Sequence, residues 1–315
     1  NESKYLRLTL DAMVAQTVWP QEGLFVDDGS TDDTPQIIAE YAEKYPFIHV
    51  IPRQDRGFRQ LGTGVIVAFD YGREHLRTSD WEYIVKLDGD GQMDPSMIPT
   101  LIQPVADGGT DYAKGNRFHH LQAISAMPAM RITGNMLLSF ASKLSSGYWD
   151  IFDPTNGFTA IHAKIAALLP FDKISRGFFF ESDMLFRLGL MRAVVMDVPM
   201  QARYGNEKSA ISIPRIIPEF LAKHYVNTCK RIYHSYFVEG LTFSSIQLVL
   251  GKVMVLFGLI YGGYWWYISS VTDVYASTGT IFLSALPIIL GSQFLIAFFN
   301  FDNENVPKKP LHPML

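Results

Sequence analysis

Cysteine is almost absent from this chain. Cys229 is the only one in 315 residues, so no internal disulfide can form, and the fold has to be held by packing alone. This fits a reducing compartment, and the position of Cys229 in a segment rich in Tyr and Ile argues against a thiol nucleophile. Charge is also scarce. Charged residues make up 18% of the chain and the formal net charge is −4; no nucleic-acid partner is expected. Internal repeats are lacking as well, so the apolar runs described next offer no transport path.

Apolar sequence is abundant at one end. The mean hydropathy of +0.09 is high for a soluble enzyme, and its source is the C-terminal quarter. From Ile246 to Ile268 the chain runs 23 residues with Lys252 as the only charge, and Thr280 to Phe299 is a second uncharged run of 20 residues. Twenty-three helical residues reach roughly 35 Å, enough to cross a bilayer core. The expectation is a transmembrane hairpin over 246–299; the alternative is a pair of helices buried in a soluble core. Lys252 is near enough to the start of its run to snorkel, and Tyr264, Trp265, Trp266 and Tyr267 cluster at the other end as an aromatic belt. Lys223, Lys230 and Arg231 precede the first run and Lys308 and Lys309 follow the second, while the link between the runs has no Lys or Arg. The positive-inside tendency then puts both ends, the catalytic part and the 300–315 tail, on the cytoplasmic side of a cell membrane. A two-helix anchor can also pack against copies of itself. Upstream, Ile216, Ile217, Phe220, Leu221, Tyr225, Ile232, Tyr233, Tyr236 and Phe237 recur at helical spacing. Residues 214–240 therefore read as amphipathic helix, lying either in the lipid headgroups or against the enzyme domain.

Residues 1–213 carry the chemistry. The apolar run Trp81–Leu87 reads as a strand and ends in Asp88-Gly89-Asp90-Gly91-Gln92. If the chain stays extended there, Asp88, Asp90 and Gln92 point the same way and offer hard oxygen ligands suited to Mg²⁺ or Mn²⁺. The plainer reading is an acidic, Gly-rich turn. A second strand, Leu24-Phe25-Val26, enters Asp27-Asp28-Gly29-Ser30-Thr31-Asp32-Asp33-Thr34, then a helix from Pro35 and a strand at Ile48–Ile51, which together make a βαβ unit. Ligands bind at the carboxyl ends of strands in open α/β sheets. Two acidic strand ends there repel one another unless a cation and hydrogen-bonding groups of a ligand relieve them.

Val26-Asp27-Asp28-Gly29-Ser30-Thr31-Asp32-Asp33-Thr34 paired with Asp88-Gly89-Asp90 resembles the family 2 glycosyltransferases of GT-A fold. The resemblance implies a Rossmann-like α/β domain with a mostly parallel sheet. It implies that Asp27 and Asp28 hold the nucleoside of a GDP- or UDP-linked sugar, with Glu2 beside them. Asp88, Gly89 and Asp90 would then serve the diphosphate, and Asp88, Asp90 and Gln92 the metal. Asn1-Glu2-Ser3 looks like the end of the family's first strand-loop, and the strand itself is expected upstream of it.

The middle of the chain is expected to take the acceptor. Gly115-Asn116-Arg117-Phe118 follows a strand, Arg131 and Asn135 lie in the helix-like run Met127–Leu144, Asp153-Pro154-Thr155-Asn156-Gly157-Phe158 is a turn-rich loop, and Arg203 and Lys208 flank another. A guanidinium fork suits phosphate oxygens, although each cation taken singly also reads as a solvated surface charge. Together these stretches resemble the polyprenyl-phosphate branch of the family, which includes dolichyl-phosphate mannose synthase. That resemblance implies that Arg117, Arg131, Asn135, Arg203 and Lys208 bind the lipid phosphate. Phe180-Glu181-Ser182-Asp183 departs from it. Glu181 and Asp183 are similar to the acidic pair with which other members deprotonate a sugar hydroxyl. Three functions follow: inverting transfer of a sugar to polyprenyl phosphate, with Asp90 and Arg117 among the catalytic residues; transfer to a glycan hydroxyl, with Glu181 or Asp183 as base; and a membrane-tethered sugar-nucleotide binder without chemistry.

Overall fold

The structure, a computed structural model, describes residues 1–53, 81–119, 129–200 and 213–315. They form two compact units, Asn1–Thr228 with Pro307–Leu315, and Cys229–Val306.

In the first unit, α1 (Ser3–Val14) and α2 (Thr34–Lys44) flank the parallel pair β1 (Gly23–Asp27) and β2 (Ile48–Pro52), with Asp27 opposite Pro52. Apolar residues at helical spacing drive this layer. Leu6, Leu10 and Met13 of α1 close on Ile37, Ile38 and Tyr41 of α2 and on Phe47 and Ile48, each side chain contributing roughly 1.5–3 kcal/mol by leaving water.

The second sheet has the order β3-β5-β4-β6, from β3 (Tyr83–Lys86), β4 (Tyr112–Asn116), β5 (Thr159–His162) and β6 (Val195–Pro199). β3, β4 and β6 run in the same direction, in keeping with the mostly parallel sheet expected, and β5 alone is reversed, antiparallel to both β3 and β4. One edge of the sheet therefore collects the carboxyl ends of β3, β4 and β6 and the start of β5. Thr159 lies opposite both Lys86 and Lys114. The Asp88 turn, Arg117, the Asn156-Gly157 loop and Met200 consequently lie toward one edge. Below it, α3 (Ile98–Ala106) buries Leu101 and Val105 against Ala113, Phe158, Ala160 and Val198.

Among the described residues this unit also holds α4 (Ala129–Ser146), the short α5 (Ala163–Leu168) and α6 (Phe180–Leu190). The long helix α7 (Ile213–Tyr233) begins in it. The α6 helix is buried on most sides and packs so closely on α4 that a Cβ at Gly189 would collide with the Ser146 carbonyl.

The segment 300–315 is not a free tail. Pro307–Leu315 belongs to the first unit. Asp111, 0% exposed, accepts the Leu311 N–H at 2.9 Å, the His312 N–H at 2.9 Å, the Val194 N–H at 2.8 Å and a 2.8 Å bond with His312 Nδ1. The His312 ring stacks on His162 with centroids 4.2 Å apart.

The second unit is a helical hairpin, α8 (Phe243–Thr272) and α9 (Thr278–Glu304). Both helices are long and apolar enough to cross a membrane, and only 28% and 11% of their most apolar windows are buried. A helix in a soluble core would be mostly covered, and these two are not. Small residues let the two backbones touch. A Cβ at Gly258 would lie 2.7 Å from the Ser284 carbonyl, and one at Gly291 would lie 2.9 Å from the Gly251 carbonyl. At the base, Arg231 grips Asp302 with two bonds of 2.7 and 3.0 Å, and the Tyr236 hydroxyl donates to the same carboxylate at 2.7 Å. Both charges are almost fully buried, and a bidentate pair with a third donor is the arrangement that offsets their desolvation.

Candidate active site

The first acidic turn is tied together by the start of the chain. The Asn1 backbone nitrogen donates to Ser30 Oγ at 3.0 Å, the Thr31 N–H to Asn1 Oδ1 at 2.7 Å, and the Glu2 N–H to Thr34 Oγ1 at 2.8 Å. Glu2 is the N-cap of α1. Its backbone, and not sequence proximity, brings it to the turn. Asp27 is buried and accepts the Ser30 N–H at 3.1 Å, while Asp28 pairs with Arg53 at 2.8 Å. Asp32 accepts the Ser3 and Thr34 N–H groups. Burial alone would raise its carboxyl, but these bonds outweigh burial and hold it below the ordinary range. The expected repulsion between carboxylates is thus relieved largely by the protein itself. Gly29 takes φ 75°, the left-handed conformation that lets the turn close.

The second acidic turn is not extended. β3 ends at Lys86, residues 89–91 turn, and Gly91 adopts φ 75°. Asp90 Oδ1 accepts the Gln92 N–H at 3.0 Å. Asp88, Asp90 and Gln92 therefore lie on a turn and not on an extended strand. Gly91 has a further constraint, since a Cβ there would lie 2.9 Å from Tyr5 Cβ of α1, which packs over the turn. A Cβ on Gly89 would meet nothing within 4 Å.

The centre of the site is a cation that the motifs did not reveal. Lys86 Nζ donates to Asp88 Oδ1 at 3.1 Å, to Glu181 Oε1 at 3.0 Å and to the Gly157 carbonyl at 3.3 Å. Gly157 has no room for a side chain, because its Cβ would fall 2.5 Å from Lys86 Nζ and 2.7 Å from Asp88 Oδ2. Burial on its own would lower the Lys86 ammonium; the Asp88 and Glu181 carboxylates more than reverse this and raise it. Burial also raises the Glu181 carboxyl, opposed by Lys86 and reinforced by Asp88. One signal was present in the sequence: Lys86 is a charge inside an apolar strand, two residues before Asp88 and therefore on the same side of it.

Arg117 leaves the end of β4 and meets Asp153. Its Nε and Nη2 donate to the two carboxylate oxygens at 2.7 and 2.6 Å, and its backbone N–H adds a third bond at 3.2 Å. Asp153 is buried and sits at φ 54°, a strained position for a residue with a side chain. Burial would raise its carboxyl, but the Arg117 guanidinium outweighs burial and lowers it. Beneath this pair runs a buried network. Lys114 Nζ donates to Asp197 Oδ1 at 2.9 Å and to the Phe152 carbonyl at 2.6 Å, and the Asn116 amide and the Phe152 N–H both donate to Asp197 Oδ2. It fixes the 152–157 loop against β4 and β6.

The remaining candidates separate. Asp183 is buried, with Oδ2 accepting the Ser175 N–H and Oδ1 the Asn227 amide, both at 2.8 Å. It anchors α6 to α7, and no hydrogen bond joins it to Lys86 or Asp88. Glu181, two residues earlier on the same helix, is the member of the pair that reaches Lys86. Arg131 and Asn135 lie on α4. Arg203 and Lys208, like the neighbouring Arg56 and Arg59, lie outside the described residues.

A divalent ion suits the second turn. Among the described residues no group of three or more His, Cys, Asp or Glu could hold a metal. Two carboxylates and an amide suffice for an ion that completes its shell with water and substrate phosphates, and Asp88, at 46% side-chain exposure, is open to one.

A mixed α/β core with acidic turns after two strands, and with Lys86, Asp88 and Glu181 clustered at the end of the second sheet, fits a sugar-transferring enzyme of GT-A fold. Residues 1–168 match the family model described as Glycosyl transferase family 2, and the chain belongs to that family. It is 28% identical to an undecaprenyl-phosphate mannosyltransferase of Micrococcus luteus over 64% of this chain and 79% of the relative. It is 30% identical to a cholesterol galactosyltransferase of Borreliella burgdorferi over 37% of this chain and 31% of that one. A glucosyl-3-phosphoglycerate synthase from Mycobacterium tuberculosis, crystallised with Mn²⁺, uridine-diphosphate-glucose and phosphoglyceric acid, shares the fold. Its TM-score is 0.51 at 18% identity, over 73% of this chain and 76% of that one.

Proposed function

We propose that this glycosyltransferase moves a sugar, with inversion, from a GDP- or UDP-linked donor to a polyprenyl phosphate on the cytosolic face of a membrane. The observation that carries this reading is the state of the two candidate bases. Asp183 has both oxygens committed to Ser175 and Asn227, and Glu181 is ion-paired with Lys86. A sugar hydroxyl needs a base to become a nucleophile, whereas a lipid phosphate is anionic at neutral pH and needs none. The Micrococcus luteus relative and the two long apolar helices support the same choice.

In this mechanism Asp27, Asp28 and Glu2 hold the nucleoside end of the donor. Asp88, Asp90 and Gln92 would hold Mg²⁺ or Mn²⁺, which offsets the charge of the departing nucleoside diphosphate. Lys86 orients the Asp88 carboxylate, donating to its Oδ1 at 3.1 Å. The Asp153 carboxylate fixes the Arg117 guanidinium at the sheet edge; with Arg131, Asn135, Arg203 and Lys208, assigned by the family resemblance alone, it would receive the acceptor phosphate. That phosphate attacks the anomeric carbon from the face opposite the leaving group.

A second reading rests on one observation. Burial raises the Glu181 carboxyl, and a carboxylate of raised pKa makes a better general base; a glycan hydroxyl would then be the acceptor. The experiment is to incubate the detergent-solubilised protein with Mn²⁺, a panel of labelled sugar nucleotides and undecaprenyl phosphate. Label entering the organic phase is expected. Label transferred only to a water-soluble glycan acceptor would overturn the lipid-phosphate assignment.

A further inference from the structure

Lys86 is enclosed more tightly than either carboxylate it serves. Its side chain is 11% exposed, against 18% for Glu181 and 46% for Asp88. An ammonium has three N–H donors, and three acceptors surround this one: Asp88 Oδ1 at 3.1 Å, Glu181 Oε1 at 3.0 Å and the Gly157 carbonyl at 3.3 Å. Two of the three are held firmly. Glu181 stands on α6, a helix buried on most sides, and Gly157 belongs to the loop that Lys114 and Asp197 fix through Phe152. Asp88 is different, because it leads into a turn in which Gly91 takes φ 75° and a Cβ on Gly89 would meet nothing. Both Asp88 oxygens lie on the Lys86 side. Oδ1 accepts from the ammonium, and Oδ2 packs on Gly157, 2.7 Å from where a Cβ would stand. Asp88, Asp90 and Glu181 accordingly do not converge as one metal-binding group.

We propose that Lys86 and the divalent ion compete for Asp88. As the ion binds, Asp88 swings from the ammonium to the ion, and Lys86 stays behind on Glu181 and the Gly157 carbonyl. The inference rests on the reading that the second acidic turn holds the ion, and it is independent of the acceptor. Two cations on one carboxylate repel each other, so one of the three Lys86 contacts has to yield. The one that yields is the exposed contact on the turn, since the other two acceptors are fixed by packing. Lys86 is then a positioning residue that keeps Asp88 folded back until the ion arrives. Glu181 is the inner counter-ion that lets the ammonium give Asp88 up. A buried ammonium left with no carboxylate would be costly, and Glu181 removes that cost. This gives Glu181 a task in the site other than proton abstraction, and one that needs it ionised and paired.

The test measures Mn²⁺ binding to the detergent-solubilised full chain, from the loss of the free-ion signal in electron paramagnetic resonance, with no donor or acceptor present. Lys86→Met removes the competitor. Its Mn²⁺ dissociation constant is expected to fall about tenfold, the scale on which a unit charge a few ångströms from a divalent ion acts in a water-like dielectric. Glu181→Gln removes the inner counter-ion and leaves Lys86 to Asp88, so the dissociation constant is expected to rise severalfold. Because Glu181 acts through Lys86, that rise is expected to vanish in the double variant, which should bind Mn²⁺ like Lys86→Met alone. Weaker binding by Lys86→Met with its near-UV circular dichroism retained would make Lys86 an organiser of the metal site and overturn the competition. An equal effect of Glu181→Gln with and without Lys86 would overturn the link between them. Should Lys86→Met fail to fold, Glu181→Gln decides alone, and unchanged or tighter binding there overturns the proposal. Asp90→Asn separates this from the underlying reading. Binding that survives Asp90→Asn undiminished would place the ion elsewhere and overturn both, whereas loss of binding there with no tightening in Lys86→Met overturns only the competition.

Discussion

Deleting residues 307–315 should destabilise the catalytic unit far more than the loss of nine C-terminal residues ordinarily would. Asp111 is a completely buried carboxylate with four N–H donors, of which the Leu311 and His312 backbones and the His312 ring supply three and Val194 the fourth. A hydrogen bond to a charged group contributes about 1.5–3 kcal/mol. Stripping the partners from a buried charge costs about 3–5 kcal/mol once water has partly replaced them. Taking about 4 kcal/mol, and about 2–4 °C per kcal/mol for a domain of this size, the melting temperature should fall by about 8–16 °C. The measurement is near-UV circular dichroism of the detergent-solubilised chain on heating, with and without the deletion. Because the cost comes from an orphaned charge, Asp111→Asn should destabilise the intact chain yet recover part of the loss in the truncated one. A fall below about 3 °C, or an Asn substitution equally harmful in both backgrounds, would show that the C-terminal strap does not hold this carboxylate.

Lys86→Met should cost about 3 kcal/mol at pH 7, the lower end for a stripped buried pair, because Asp88 is nearly half exposed. The Lys86 ammonium is raised above its ordinary 10.5, so its contribution is whole at neutral pH and is lost only as pH rises beyond that value. Without the cation, burial and Asp88 lift the Glu181 carboxyl further. The deficit in Tm should therefore shrink on acidification as Glu181 takes up a proton, and a deficit independent of pH would refute the pairing. Asp183→Asn should lower the Tm through the Ser175 and Asn227 bonds while leaving kcat measurable in the protein that remains folded. Glu181→Gln should retain transfer to undecaprenyl phosphate, and complete loss of kcat with both substrates still bound would make Glu181 the base of a hydroxyl-directed transferase.

Much of the site was legible because it sits in local chemistry. The Asp27–Thr34 turn, the Asp88–Gln92 turn and the residues around Arg117 and Asp153 are each contiguous, and strand-then-turn patterns put them at strand ends. Their ligand geometry was less legible. The alternation expected through Gln92 stops at Lys86, because Gly91 turns the chain. The direction of β5 was also hidden, since a short apolar strand carries no mark of its neighbours' polarity. Glu181 and Asp183 look equivalent as an acidic pair, but two residues on a helix point about 200° apart, so one faces Lys86 and the other faces α7.

By itself the sequence determined the family, the two acidic strand ends and the apolar hairpin, because each is written in consecutive residues whose spacing dictates strand, turn or helix. Only the tertiary structure decided the partners drawn from far along the chain. These are Lys86 between Asp88 and Glu181, Lys114 beneath the loop on Asp197, Asp302 on Arg231, and the return of His312 to Asp111 some 200 residues away. Each is a buried charge that has to find an opposite charge or a donor once water is excluded. Which one it finds depends on how the elements pack, which is information that no local pattern contains.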